Sequence, residues 1–257
     1  MKIALIQFAP VFGDLEATMN FLKALLHKAK DADLLVLPEL TNTGYNFHSK
    51  EEAFALSETV GNSVFLEFIK EACQQYNFTV ATGFLEREGD LLYNSAVLLN
   101  KKGVIGSYRK LHLFMNEKNI FEKGNLGLPV FTVDEVKIGM LVCFDWMFPE
   151  VWRKLALQGV DIILHPSNLV LPYAQSVIPS YALVNRIFIA TANRIGTEKD
   201  LSFTGQSIFV NPKGEVLAEA GESETILFVD IDPEMARDKM ITPKNDVFKD
   251  RRTDIYE

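Results

Sequence analysis

Short, wholly apolar runs alternating with amphipathic stretches set the pattern of this chain. Lys2 to Phe8 reads as a strand, and Leu15 to Lys30 as a helix with Met19, Phe21, Leu22, Leu25 and Leu26 near helical spacing. Leu34 to Leu37 is a short apolar strand ending at Pro38-Glu39. Asn62 to Tyr76 reads as a second helix whose apolar face carries Phe65, Phe68, Ile69, Ala72 and Cys73, so Cys73 reads as a small core side chain. Phe78 to Leu85, Leu91 to Leu99 and Val104 to Tyr108 follow as strands separated at Gly89-Asp90 and Lys102-Gly103, in the manner of an antiparallel meander.

The second half repeats this rhythm. Val130 to Val133 and Val136 to Val142 read as strands, and Val151 to Gln158 as a helix closed by Gly159. Asp161 to Leu164 is a buried strand ending at His165-Pro166-Ser167-Asn168, Pro179 to Asn185 reads as helical, and Ile187 to Ala192 as a strand. Ser207 to Val210, Val216 to Ala218 and Ile226 to Ile231 complete the strands, with a turn at Pro212-Lys213-Gly214. The tail from Thr242 is polar and charged, and reads as an extended arm or a frayed terminus. No Ser/Gly-rich linker or low-complexity segment divides the chain, so residues 1–257 read as one α/β domain with 242–257 as a C-terminal arm. Many strands and few helices predict two sheets face to face with helices outside.

Composition narrows the function classes. A net charge of −8 argues against nucleic acid or an anionic membrane as the main partner. No segment approaches the ~20 apolar residues needed to cross a bilayer. The only cysteines are Cys73 and Cys143, without a Cys/His cluster, which argues against a disulfide framework or a thiolate zinc site and fits a reducing cytoplasm. No metal-ligand spacing or Gly-rich phosphate loop appears, so no metal or nucleotide cofactor is expected.

The candidate chemistry centres on Cys143, which follows the apolar run Lys137-Ile-Gly-Met-Leu-Val142 and precedes Phe148-Pro149 and a helix. A thiol at the carboxyl end of a strand stands where open α/β sheets bind ligands. It needs a base or a positive charge to ionise near neutral pH. His27 falls on the polar face of the first helix and His48 in a loop, whereas His112 and His165 lie near strand ends and remain candidates. Glu39 and Lys110 also sit at strand ends. Each alone is as readily a solvated loop charge, but a thiol, a carboxylate and an ammonium in such positions point to a shared pocket.

Leu37-Pro-Glu39 with Thr43-Gly44-Tyr45, then Tyr108-Arg-Lys110-Leu-His-Leu-Phe114, then Cys143-Phe-Asp-Trp-Met-Phe-Pro-Glu150, resembles the nitrilase superfamily of carbon–nitrogen hydrolases. Tyr93-Asn-Ser-Ala96, His165-Pro-Ser-Asn168 and Ala192-Asn-Arg-Ile-Gly196 look like further family segments, so the resemblance runs nearly the whole length. The overall likeness is to short single-domain microbial and archaeal members described as aliphatic nitrilases or amidases.

The resemblance implies a four-layer αββα sandwich with a Glu–Lys–Cys site, acting on a small amide or nitrile. In that reading Glu39 is the base, its pKa raised toward neutrality by burial. Cys143 is the nucleophile, and Lys110 with the backbone N–H of Phe144 stabilises the oxyanion. Glu117 looks like the family's second glutamate, its alternative being a solvated loop carboxylate, and Asp145 reads as a brace for the cysteine turn. Tyr45, Phe114, Trp146, Met147, Asn168 and Tyr173 are placed around the substrate, several of the aromatics being core candidates as well. Met147 stands where branches acting on ω-amides of dicarboxylates carry an arginine, which disfavours a carboxylate-bearing substrate unless Arg186 or Arg194 substitutes. Val184 stands where many members carry glutamate, without a consequence that the sequence reveals. The family resemblance also implies a homodimer or higher assembly. Two other readings stay open: a cysteine acyltransferase or peptidase using His112 or His165 as base, and a non-catalytic binding protein that kept the fold.

Overall fold

Successive residues of the first strand point to opposite faces, and both faces are covered. Ile3 and Leu5 enter one core while Ala4 and Ile6 enter another. Burial on both sides is why such strands read as unbroken apolar runs. The computed structural model describes residues 1–256. In chain order the first half comprises β1 (Lys2–Gln7), α1 (Leu15–Lys28), β2 (Leu34–Val36), α2 (Lys50–Leu56), α3 (Val64–Tyr76), β3 (Thr79–Glu88), β4 (Leu91–Asn100) and β5 (Gly103–Arg109). The second comprises β6 (Val130–Val133), β7 (Val136–Met140), α4 (Pro149–Leu157), β8 (Ile162–Ser167), α5 (Ala174–Asn185) and β9 (Phe188–Asn193). A small ribbon of β10 (Thr197–Glu198) and β11 (Leu201–Ser202) precedes β12 (Ile208–Val210), β13 (Val216–Glu219) and β14 (Thr225–Asp230).

Two six-stranded sheets result, ordered β14-β1-β2-β3-β4-β5 and β13-β12-β9-β8-β7-β6. In the first, β1, β2 and β3 are parallel and β3, β4 and β5 form the expected antiparallel meander. In the second, β7, β8 and β9 are parallel. The sheets meet where β1, β2 and β3 touch β8 and β9. The outer face of the first sheet buries Leu22, Leu25 and Leu26 of α1 with Phe65, Ile69 and Cys73 of α3. The second sheet packs against Trp152 and Leu155 of α4 and Ile178 and Ala182 of α5. This is the expected α/β sandwich: helices, sheet, sheet, helices.

Local chemistry sets the helix starts. The side chains of Asp14 and Ser63 accept from the N–H groups of Ala17 and Leu66, and Pro149 opens α4. Two of the helices α1 to α5 depart from the sequence reading. α2 went unread as a helix; Ser49 caps it by accepting from the Glu52 N–H. α5 begins at Ala174 rather than Pro179 and carries the proline inside it. Beyond Thr242 the chain turns back through a ribbon of β15 (Met240–Thr242) and β16 (Asn245–Asp246). Phe248 then lies against the main core, with Lys239 and Arg153 over its ring at 4.8 and 5.4 Å. Among the described residues no helix is long and apolar enough to cross a membrane.

Candidate active site

The carboxyl ends of β2 and β5, which run in the same direction, deliver Glu39 and Lys110, and the end of β7 delivers Cys143. All three side chains are buried. Glu39 can turn away from β2 because Leu40 has φ +48° and because Gly83 of β3 passes directly beneath it. A Cβ on Gly83 would stand 2.3 Å from the Glu39 Cα, so only glycine fits. The Lys110 backbone is fastened on both sides, its N–H donating to the Asn94 carbonyl and its carbonyl accepting from the Gly124 N–H. Cys143 itself has φ +42° and starts a short 3₁₀ helix, Cys143–Met147. Such a backbone persists only where its surroundings impose it.

Asp145 is part of what imposes it. It is fully buried, and its Oδ2 accepts from the Val142 N–H (3.0 Å) and the Tyr108 hydroxyl (2.6 Å), while Oδ1 accepts from the His112 N–H (3.1 Å). His112 Nδ1 lies 2.7 Å from the same Oδ1. One carboxylate therefore ties the cysteine turn to the residues on either side of Lys110.

Lys110 Nζ donates at 2.7 Å to both Glu39 Oε1 and Glu117 Oε1. Glu117 is held at both oxygens, since Oε1 also accepts from the Tyr45 hydroxyl and Oε2 from the Phe114 N–H. Glu39 is not. Asn94 Nδ2 joins Lys110 on Oε1 (2.7 Å), whereas Oε2 is buried with no partner among the described residues. Burial, reinforced by the charge of Glu39 and opposed by Lys110, pushes the Cys143 thiol well above its usual pKa. Burial by itself would lower Lys110, but Glu117 and Glu39 outweigh it and hold the ammonium above its ordinary value. Burial raises Glu117 against the pull of Lys110. The arrangement is a neutral thiol beside a fixed ammonium and a carboxyl with one oxygen unoccupied.

The profile of the carbon–nitrogen hydrolase family matches residues 2–239. The chain belongs to the carbon–nitrogen hydrolase family. A curated relative named nitrilase, from Pyrococcus abyssi, is 44% identical over 100% of this chain and 99% of its own length. A carbon–nitrogen hydrolase of Helicobacter pylori superposes with a TM-score of 0.89 at 28% identity, covering 100% of this chain and 97% of that one. An amidase of Nesterenkonia, solved as a double mutant in complex with acrylamide, gives 0.83 at 26% identity over 100% and 95%.

In this hydrolase Cys143 opens into a cleft lined by Phe114, Trp146, Met147, Asn168 and Val170, with about 350 Å³ of empty space. Phe114 and Val170 also line a neighbouring cleft beside Tyr45 and Glu117. Of the residues named from sequence, Phe114, Trp146, Met147 and Asn168 line the Cys143 cleft and Tyr45 the neighbouring one, Trp146 being largely buried and Met147 46% exposed. Tyr173 lines neither cleft: it is 55% exposed, just before α5. Phe144 lies in the first turn of the 3₁₀ helix, where backbone N–H groups have no intrahelical partner. The two candidate arginines are engaged elsewhere. Arg186 donates to the Pro212 and Asp238 carbonyls, and Arg194 pairs with Glu198 at 2.9 Å beneath the ring of Phe203.

Two supports escaped the sequence reading. Asn94, next to Tyr93 in a quoted segment, holds Glu39. Glu198, in no motif, accepts from the Tyr45 and Asn46 N–H groups and so sets the loop whose tyrosine reaches Glu117.

Proposed function

We propose that this carbon–nitrogen hydrolase cleaves small uncharged amides to a carboxylic acid and ammonia through a thioester on Cys143. The observation that carries the reading is the unpartnered Glu39 Oε2, in a buried cluster where Oε1 is already held by Lys110 and Asn94. Glu39 takes the thiol proton as the sulfur attacks the amide carbon, giving a tetrahedral intermediate. Lys110 Nζ and the Phe144 N–H donate to the oxyanion, a class of contact whose loss typically costs about 10²–10³ in rate. Glu39 returns the proton to nitrogen, the C–N bond breaks, and ammonia leaves. Water then gives its proton to Glu39 and its hydroxide to the thioester carbon, and the carbon–sulfur bond breaks as Glu39 returns that proton to sulfur, releasing the acid and restoring the thiol and the carboxylate. Glu117 acts as a positioning residue for Lys110.

The engaged Arg186 and Arg194, and Met147 in the cleft, support substrates without a carboxylate. The histidine-base alternative has less support. His165 Nε2 lies 2.9 Å from the Cys143 carbonyl, which can only accept, so that nitrogen carries the proton; Nδ1 faces the Thr191 hydroxyl at 3.1 Å. His112 is stacked on Phe148 and held to Asp145. We further propose that the enzyme works in a reducing cytoplasm as a homodimer or higher homo-oligomer.

Ammonia release across a panel of small amides, with Cys143→Ala as control and mass spectrometry of the trapped acyl-enzyme, tests the reading. Equal release by wild type and Cys143→Ala from every compound overturns it. A binding protein that merely kept the fold instead shows Cys143 reacting with iodoacetamide no faster than an ordinary thiol, with no acyl adduct.

A further inference from the structure

Asn168 follows β8 and is 1% exposed. Its side chain lines the Cys143 cleft. Side-chain Nδ2 donates to the Glu39 backbone carbonyl at 3.0 Å. A carbonyl oxygen accepts and cannot donate, so this bond fixes which end of the carboxamide is nitrogen. The other end, Oδ1, is buried and has no partner among the described residues. Of the residues lining that cleft, Asn168 alone carries a buried side-chain polar atom in this condition.

The open hydrogen-bonding groups around Cys143 therefore fall into two kinds. Lys110 Nζ and the Phe144 N–H are donors, suited to a carbonyl oxygen. Asn168 Oδ1 is an acceptor, suited to an N–H. A primary amide presents both, a carbonyl oxygen and an NH₂ with two donors. A nitrile presents one lone pair and no donor, and would leave Oδ1 buried and unpaired.

We infer that Asn168 is a specificity-determining residue that selects amides over nitriles, by accepting a hydrogen bond from the substrate NH₂ through Oδ1. This rests on the thioester reading above, since both substrate types reach the same acyl-enzyme. The selection acts before that intermediate, while the substrate nitrogen is still attached. A site built around such a bond rejects the analogue lacking it far more strongly than a purely apolar pocket rejects a change of size.

Propionamide and propionitrile share one acyl group and differ only in the nitrogen end, so the ratio of their kcat/KM values isolates the effect. Ammonia release by wild type should favour propionamide by about 100-fold or more. Asn168→Ala, with folding checked by thermal melting, should lower that ratio about 10- to 100-fold, almost wholly through the amide. A purely structural role, exerted through the Nδ2 bond to Glu39, lowers both substrates together and leaves the ratio unchanged. That result overturns the inference, as does comparable wild-type activity on the two compounds. The wild-type comparison decides even where Asn168→Ala does not fold. Ammonia from neither compound, or equal ammonia from both, overturns the amide preference alone, and the thioester reading falls only if the wider amide panel also shows no release beyond Cys143→Ala.

Discussion

Burial assigns different work to the titratable side chains of this enzyme. His165 sits between Trp152, Thr191 and the Cys143 carbonyl, and burial lowers its pKa from 6.5 to about 4. Above pH 6.5 the ring is neutral in folded and unfolded chains alike. Between pH 6.5 and about 4 only the unfolded chain takes the proton, so stability falls as pH falls, by roughly 3 kcal/mol over the window. His165→Asn removes this contribution, and its melting temperature should fall less steeply than wild type's across the same range; parallel curves would show that the ring is not kept neutral. Glu39→Gln tests the opposite kind of residue, one whose unoccupied oxygen must accept a proton. It should retain the fold and lose about 10³-fold in kcat, read as ammonia release. Glu39, Lys110 and Cys143 could be singled out because each stands at a strand end, within segments that resemble one family. Asn94 and Glu198 could not, because a polar side chain that holds another across 55 or 153 residues leaves no local pattern.

At the scale of elements, placement depends on how closely backbones approach. β3 passes under Glu39 only because Gly83 has no side chain, and an added Cβ would meet Glu39 Cα and Leu40 N at 2.3 Å. These are backbone atoms with no rotamer to yield. Gly83→Ala should cost about 1–3 kcal/mol through forced displacement. It should also reduce kcat about 10²-fold, since a shift of about 1 Å in a reacting group is that costly. A melting curve and a kinetic assay on one preparation separate the two effects; unchanged kcat would mean that the segment relaxes without moving Glu39. Sequence period recovers the long elements for a physical reason: β1, β2 and the parallel strands of the second sheet are buried on both faces, and α1 and α3 carry one apolar stripe. It does less well where the signal is short or contradictory. α2 spans only seven residues and buries Ala53 alone, so no stripe develops. Pro179 reads as a helix start because it lacks an N–H, yet α5 continues through it, held by Ile178 and Ala182 in the core.

At the scale of the whole molecule, the site belongs to neither sheet alone. The first sheet supplies Glu39, Asn94 and Lys110, and the second supplies Cys143 and Asn168, so the candidate site is assembled only where the sandwich is closed. The C-terminal segment is attached to this body differently. Among the described residues its ribbon strands pair with each other, the Phe248 ring lies against the core with Lys239 and Arg153 over it, and the Val247 N–H donates to the Lys239 carbonyl. Ending the chain after Lys244 removes that ring. Half-burial of a phenylalanine is worth about 1–2 kcal/mol, or about 2–4 °C in melting temperature for a chain of this size. Since none of the segment's described residues hydrogen-bonds to Glu39 or Lys110 or acts on the Cys143 thiol, kcat per folded molecule should not change. Sedimentation of the shortened chain supplies the deciding readout. A small loss of melting temperature at unchanged mass means that the segment acts as a clasp on its own subunit. A fall to the monomer mass means that these residues hold a second copy, and the charged stretch Lys249 to Arg252 is then the first place to look for the contact.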